Sequence, residues 1–307
     1  MNNSSTGSGI FMLTLCAFIW GTAFIAQSVG ADYAEPLTFN CARSVLAVAF
    51  LGCGCLLFDK FRGRPLRILG SDDPVYCDRL LKGGVTCGVF LSAAMLLQQV
   101  GIMYTTVGKS GFITALYIVL VPLLSFVVYR RSVSLLQGIS VGIAAIGMYF
   151  ICINEAFSIN KGDMYTLACA LCFAAQIICV ENIIKNLDGV RLSLIQFATC
   201  AVINGIFMFI FETPSLTSII AGWAPIAYAG IMSSGVAYTL QIIGQKHVSS
   251  VLACMLMSLE SAFALLSGWL VLGQAMTLRE IFGCCLVFAA IMLAQLPPEL
   301  LGLKSRS

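Results

Sequence analysis

The chain has 307 residues, of which 59% are hydrophobic and only 10% charged. That balance excludes a water-soluble globular domain and describes an all-α integral membrane protein. A formal charge of +3 is too small to argue for a nucleic-acid partner, so what matters is where the basic residues lie.

A membrane-crossing helix needs about 20 apolar residues, and ten apolar runs can be bounded by charge, Pro, Asn and Gly signals. They cover residues 10–29, 37–58, 84–105, 111–129, 135–153, 164–184, 192–211, 223–244, 251–272 and 281–296. Residues 1–9 carry no Lys or Arg, and the run after them is longer than a signal-peptide core, so it reads as a retained first helix. Several runs are separated by so few residues that they must form antiparallel hairpins.

Placing both termini in the cytoplasm puts Lys60, Arg62, Arg64, Arg67, Arg79, Lys82, Arg130, Arg131, Lys185, Arg191, Lys246, Lys304 and Arg306 on the inner side. Only Lys109, Lys161 and Arg279 face out. This asymmetry predicts a multi-pass protein of the cytoplasmic membrane with residues 59–82 as a basic inner loop. The cysteines sit mostly inside apolar runs and read as small packing residues. With His247 as the sole histidine, no metal, no cofactor and no disulfide framework is expected.

The two halves echo one another. Leu97-Gln98-Gln99 precedes the fourth run and Leu240-Gln241 the ninth, while Gly9 stands eleven residues before Trp20 and Gly162 eleven before Phe173. A duplicated unit of five helices must enter the membrane in opposite orientations, because five is odd. The expected architecture is therefore ten transmembrane helices as two inverted five-helix repeats, residues 1–153 and 154–307, with a site near the midplane.

Several stretches carry a family resemblance. They are Trp20-Gly21-Thr-Ala-Phe24, Pro36 with Ala42-Arg43, the segment from Tyr104 through Lys109 and Tyr117 to Pro122, Gly162-Asp163, and Leu259-Glu260 followed by Gly268-Trp-Leu-Val-Leu-Gly273. In order and spacing they resemble the drug/metabolite transporter superfamily, in particular its EamA-like members. The resemblance implies a central cavity and movement of small metabolites across the membrane. It departs at Ser261, where the family usually has Pro after the Glu, which puts the expected helix break there in doubt.

Glu260 is the leading functional candidate. Water-free surroundings disfavour an ionised carboxyl, so a carboxyl at membrane depth can take up and release protons or meet a cationic substrate; the alternative is a carboxyl that pins two helices together. Trp20, Phe24, Gln98, Gln99, Tyr117, Gln176, Tyr238 and Gln241 are expected to line the cavity, although each alone also fits an interhelical hydrogen bond or packing contact. Arg43 reads chiefly as a structural residue whose stem snorkels to the interface. The pairs Gly84-x-x-x-Gly88 and Gly138-x-x-x-Gly142 suit internal packing, and the chain is expected to be a monomer or homodimer.

These features predict a secondary transporter, exporting small organic metabolites such as amino acids. No Walker A sequence or paired catalytic groups at membrane depth are present, so neither an ATP motor of that type nor an enzyme is expected. The alternative from another class is a non-transporting membrane sensor or assembly subunit.

Overall fold

A computed structural model describes residues 3–104, 107–130, 134–152, 160–272 and 277–295, and every regular element among them is helical. The expected residues Arg131, Lys304, Arg306 and Gly273, and the side chain of Lys109, lie outside this description. The helices are α1 (Asn3–Gly30), α2 (Pro36–Phe61), α3 (Pro74–Tyr104), α4 (Val107–Ala115), α5 (Tyr117–Tyr129), α6 (Leu135–Cys152) and α7 (Lys161–Ile183). After a single 3₁₀ turn come α8 (Gly189–Phe211), α9 (Leu216–Ala221) and α10 (Trp223–Ala227), which continues as a wide π-helical stretch, Tyr228–Ala237, into α11 (Tyr238–Gln245). The chain closes with α12 (Ser250–Met257), α13 (Leu259–Leu272) and α14 (Leu278–Gln295).

Among the described residues, seven spans are long and apolar enough to cross a bilayer, with three shorter apolar stretches at Ile113–Val128, Leu135–Phe150 and Ile281–Leu293. Each of the ten falls on one of the ten apolar runs. Large side chains such as Phe11, Phe126, Phe209 and Leu270 stand on the outside, as a lipid-facing surface requires.

Helix starts follow local chemistry. Asn160 and Asp163 form a capping box at the head of α7, and the Asp188 carboxylate accepts from the Val190 and Arg191 N–H groups at the head of α8. The head of α2 is capped from afar. Glu212, just past the end of α8, accepts from the backbone N–H groups of Leu37 and Thr38 and from the Thr38 hydroxyl, each at 2.7 Å. At the opposite ends of the same two helices, Arg191 reaches Asp59 at 2.6 Å and Asp188 at 2.7 Å, with Asp59 and Arg191 both buried. The antiparallel pair α2/α8 is thus fastened at both extremities.

Elsewhere α3 lies along α7, α6 along α14, and α1 against α13, α11 and the π-helical stretch. Gly84 and Gly88 bring α3 onto Ile195, Gln196 and Thr199 of α8, as internal packing requires. Gly138 and Gly142 do not serve that purpose: nothing lies within 4 Å of where their side chains would be. The face of α6 that carries them is outside the bundle.

Three sequence expectations are corrected. The basic loop is confined to residues 62–73, because α2 continues to Phe61 and α3 begins at Pro74; Lys60, Arg79 and Lys82 are helical. The fourth run is two helices separated at Leu116, and the eighth is α10, the wide stretch and α11 in series. The ninth run also breaks, at Ser258, despite Ser261 standing where a proline would account for it. Here the Ser258 hydroxyl donates to the Met255 carbonyl at 2.7 Å, the acceptor that a continuous helix offers to the Leu259 N–H.

Candidate functional site

The breaks in the fourth and ninth runs face one another beside a central cavity. Tyr117 is the first residue of α5 and Glu260 the second of α13, and the Tyr117 hydroxyl donates to Glu260 Oε1 at 3.1 Å. Both side chains are buried. Both interruptions are one residue long, and Leu116 and Ser258 keep right-handed helical dihedrals (φ −60°, ψ −10° and φ −63°, ψ −14°). Gly21 lets α1 approach closely: a side chain there would meet the Glu260 carbonyl, the Ala264 amide and Phe263.

The space between the lining side chains is narrow: the centre of a water-sized sphere fits in only about 20 Å³ of it. From α1 it receives Trp20, Phe24 and Gln27, whose spacing places them on one helix face. Gln98 of α3, Thr114 of α4 and Tyr117 of α5 form a polar edge, with Gln98 donating to the Thr114 hydroxyl at 3.3 Å. Phe173 and Ile177 of α7 supply apolar wall. Arg43 of α2, Ser233 of the wide stretch, Tyr238 and Gln241 of α11, and Glu260 complete the lining. The Tyr238 ring is packed between Trp20, at 4.7 Å between centroids, and Phe197, at 5.3 Å.

Of the nine residues the sequence nominates, seven line this space: Trp20, Phe24, Gln98, Tyr117, Tyr238, Gln241 and Glu260. Gln176 and Gln99 stand behind it. Gln176 donates to Gln196 at 2.9 Å and accepts from Gln241 at 3.0 Å, holding the Gln241 amide in place. Gln99 donates to the Gln27 carbonyl at 3.2 Å and so fixes α1 against α3. Sequence reasoning missed Gln27, Thr114 and Ser233, which look like ordinary polar residues of a span.

It also misjudged Arg43. The side chain does not snorkel to an interface; it is 2% exposed and lines the cavity. Four lining residues carry a buried polar atom with no hydrogen-bond partner in the protein: the indole N–H of Trp20, Oε1 of Gln27, Nε of Arg43 and Oε1 of Gln241. Unsatisfied donors and acceptors gathered around one cavity are what a polar ligand would satisfy.

The cysteine spacing Cys169-x-x-Cys172 falls inside α7, with Cys169 fully buried. Among the described residues, no group of three or more His, Cys, Asp or Glu side chains could hold a metal ion.

A family model described as the EamA-like transporter family matches residues 7–153 and, a second time, residues 160–296. The chain belongs to this family. As an EamA-like protein it is 28% identical to an uncharacterized transporter of Archaeoglobus fulgidus, over 92% of this chain and 84% of the relative. It is 21% identical to the uncharacterized transporter YoaV of Bacillus subtilis, over 93% and 94% of the two chains. One solved crystal structure matches with a TM-score of 0.75, covering 96% of this chain and 97% of that one; at 17% identity this is a likeness of fold alone. The EamA-like chain is therefore a multi-pass membrane transporter, consistent with the drug/metabolite transporter superfamily, and nothing points to catalytic activity.

Proposed function

We propose that this protein is a secondary carrier that exports small organic metabolites, such as amino acids, across the cytoplasmic membrane by alternating access. The observation that carries the reading is the central cavity with Glu260 and Tyr117 joined on its wall, each just past a one-residue interruption of its helix. Discontinuous helices flanking a buried carboxyl are the construction that secondary carriers use for substrate and coupling ions.

The architecture that goes with this reading is ten helices in two inverted five-helix units, 1–153 and 154–307, both termini being cytoplasmic. Two facts support it. The family model matches the chain twice in tandem. The contacts between halves also come in counterpart pairs: α3 with α7 answers α11 with α1, and α1 with α13 answers α7 with α5. Glu260 acts as the protonation site or as the contact for a cationic group, and the chain works as a monomer or homodimer.

Counterflow of radiolabelled amino acids into proteoliposomes containing only the purified protein tests the carrier, and its absence across the whole panel refutes it. Glu260→Gln, assayed between pH 6 and 8, tests coupling. A carrier coupled through this carboxyl loses its pH dependence in the variant; an unchanged profile removes Glu260 from the coupling path.

A further inference from the structure

The protein contains two buried arginines on the fastened helix pair, and they are treated in opposite ways. Arg191 is met by Asp59, by Asp188 and by the Arg67 carbonyl. Arg43, which is less exposed, has no ion pair or side-chain hydrogen bond among the described residues, and its Nε is buried without a partner; its guanidinium lies 5.7 Å from the centroid of the Phe39 ring. A guanidinium keeps its charge and offers five donors in a planar fork. Left without a partner in a water-poor interior, such a group destabilises the fold, so a purely structural role does not account for it.

Its base is also fixed in place. Gly230 of the wide stretch packs so closely that any side chain there would meet the Arg43 carbonyl and Cα. The guanidinium therefore reaches the cavity from a backbone clamped against its neighbour. Glu260 lines the same cavity, and among the described residues it forms no ion pair with Arg43.

We propose that Arg43 is the anchor for a carboxylate of the bound molecule, so that the cavity selects small zwitterions, their carboxylate on Arg43 and their ammonium toward Glu260. That the bound molecule is also carried across the membrane rests on the carrier reading above; the binding preference does not. The guanidinium fork matches a carboxylate bidentately, and a lone ammonium compound would leave Arg43 unpaired beside it.

The test uses detergent-purified full-length protein and thermal stabilisation by the common amino acids, the amines formed by their decarboxylation, and their methyl esters. Amino acids are expected to stabilise the wild type, and the amines and esters of the same side chains to fail. Arg43→Gln is expected to weaken half-saturation by about 10- to 100-fold, the loss typical of charge-assisted hydrogen bonds, with Arg43→Lys in between. Without ligand, Arg43→Gln should melt no lower than the wild type, because no partner is orphaned; a structural arginine would give a clear drop. Stabilisation by esters equal to that by acids overturns the proposal. So does the absence of stabilisation by every carboxylate tested, or a destabilised Arg43→Gln that binds as before. Counterflow run on the same panel separates the two readings. Carboxylate-dependent binding without flux refutes the carrier and leaves the anchor standing, whereas flux indifferent to the carboxylate does the reverse.

Discussion

The Tyr117 hydroxyl spends its hydrogen on Glu260, and the Gln241 amide is held by Gln176, so the cavity's polar groups are oriented before anything binds. Preorganisation of this kind predicts effects from residues that never touch a ligand. Gln176→Leu is expected to lower apparent affinity in counterflow by about two- to tenfold, the equivalent of one hydrogen bond of about 0.5–1.5 kcal/mol, with little change in maximal rate. Tyr117→Phe should cost a similar factor and should act non-additively with Glu260→Gln in a double-mutant cycle, because both remove the same contact. Most of the lining was legible in the sequence because Gln, Tyr and Trp are conspicuous in apolar runs. Arg43 was not. A long stem can either snorkel or stay buried, and only the packing of α2 against the wide stretch decides which.

At the level of elements, hydropathy located the apolar runs but was blind to what happens inside them. A run of Val, Leu, Met and Ala is equally apolar whether its backbone bonds are continuous or interrupted. At Ser258 the hydroxyl donates to the Met255 carbonyl, a signal indistinguishable in sequence from any serine in a span. The same holds for the ten-residue π-helical stretch, whose only outward mark is a content of small residues. Close approach is easier to test than to read. Gly21→Ala would place a methyl group against the backbone of α13 beside Glu260, with little freedom to yield. We expect a loss of about 1–3 kcal/mol, seen as a lower melting temperature in detergent, together with impaired counterflow.

For the molecule as a whole, the proposed orientation rests on the basic residues gathered at one end, where loop 62–73 lies with Arg67 paired to Asp72. An epitope inserted in that loop should bind antibody only after permeabilisation, and one inserted after Pro214 should bind on intact cells. The reverse pattern would invert the proposed topology. Tandem organisation was legible only faintly, through Gln98-Gln99 and Gln241, because small and apolar residues dominate both halves and blur their likeness. One consequence follows from the fastening of α2 to α8 at both ends. Such a pair cannot slide along itself without breaking Glu212 from the head of α2 or Asp59 from Arg191. In the proposed alternating-access cycle Arg43 would therefore travel with α2 and α8 as one rigid jaw, while Tyr117 and Glu260 sit at the knuckles of the helices opposite. A covalent staple between α2 and α8 should leave turnover intact, and one between α5 and α13 should stop it.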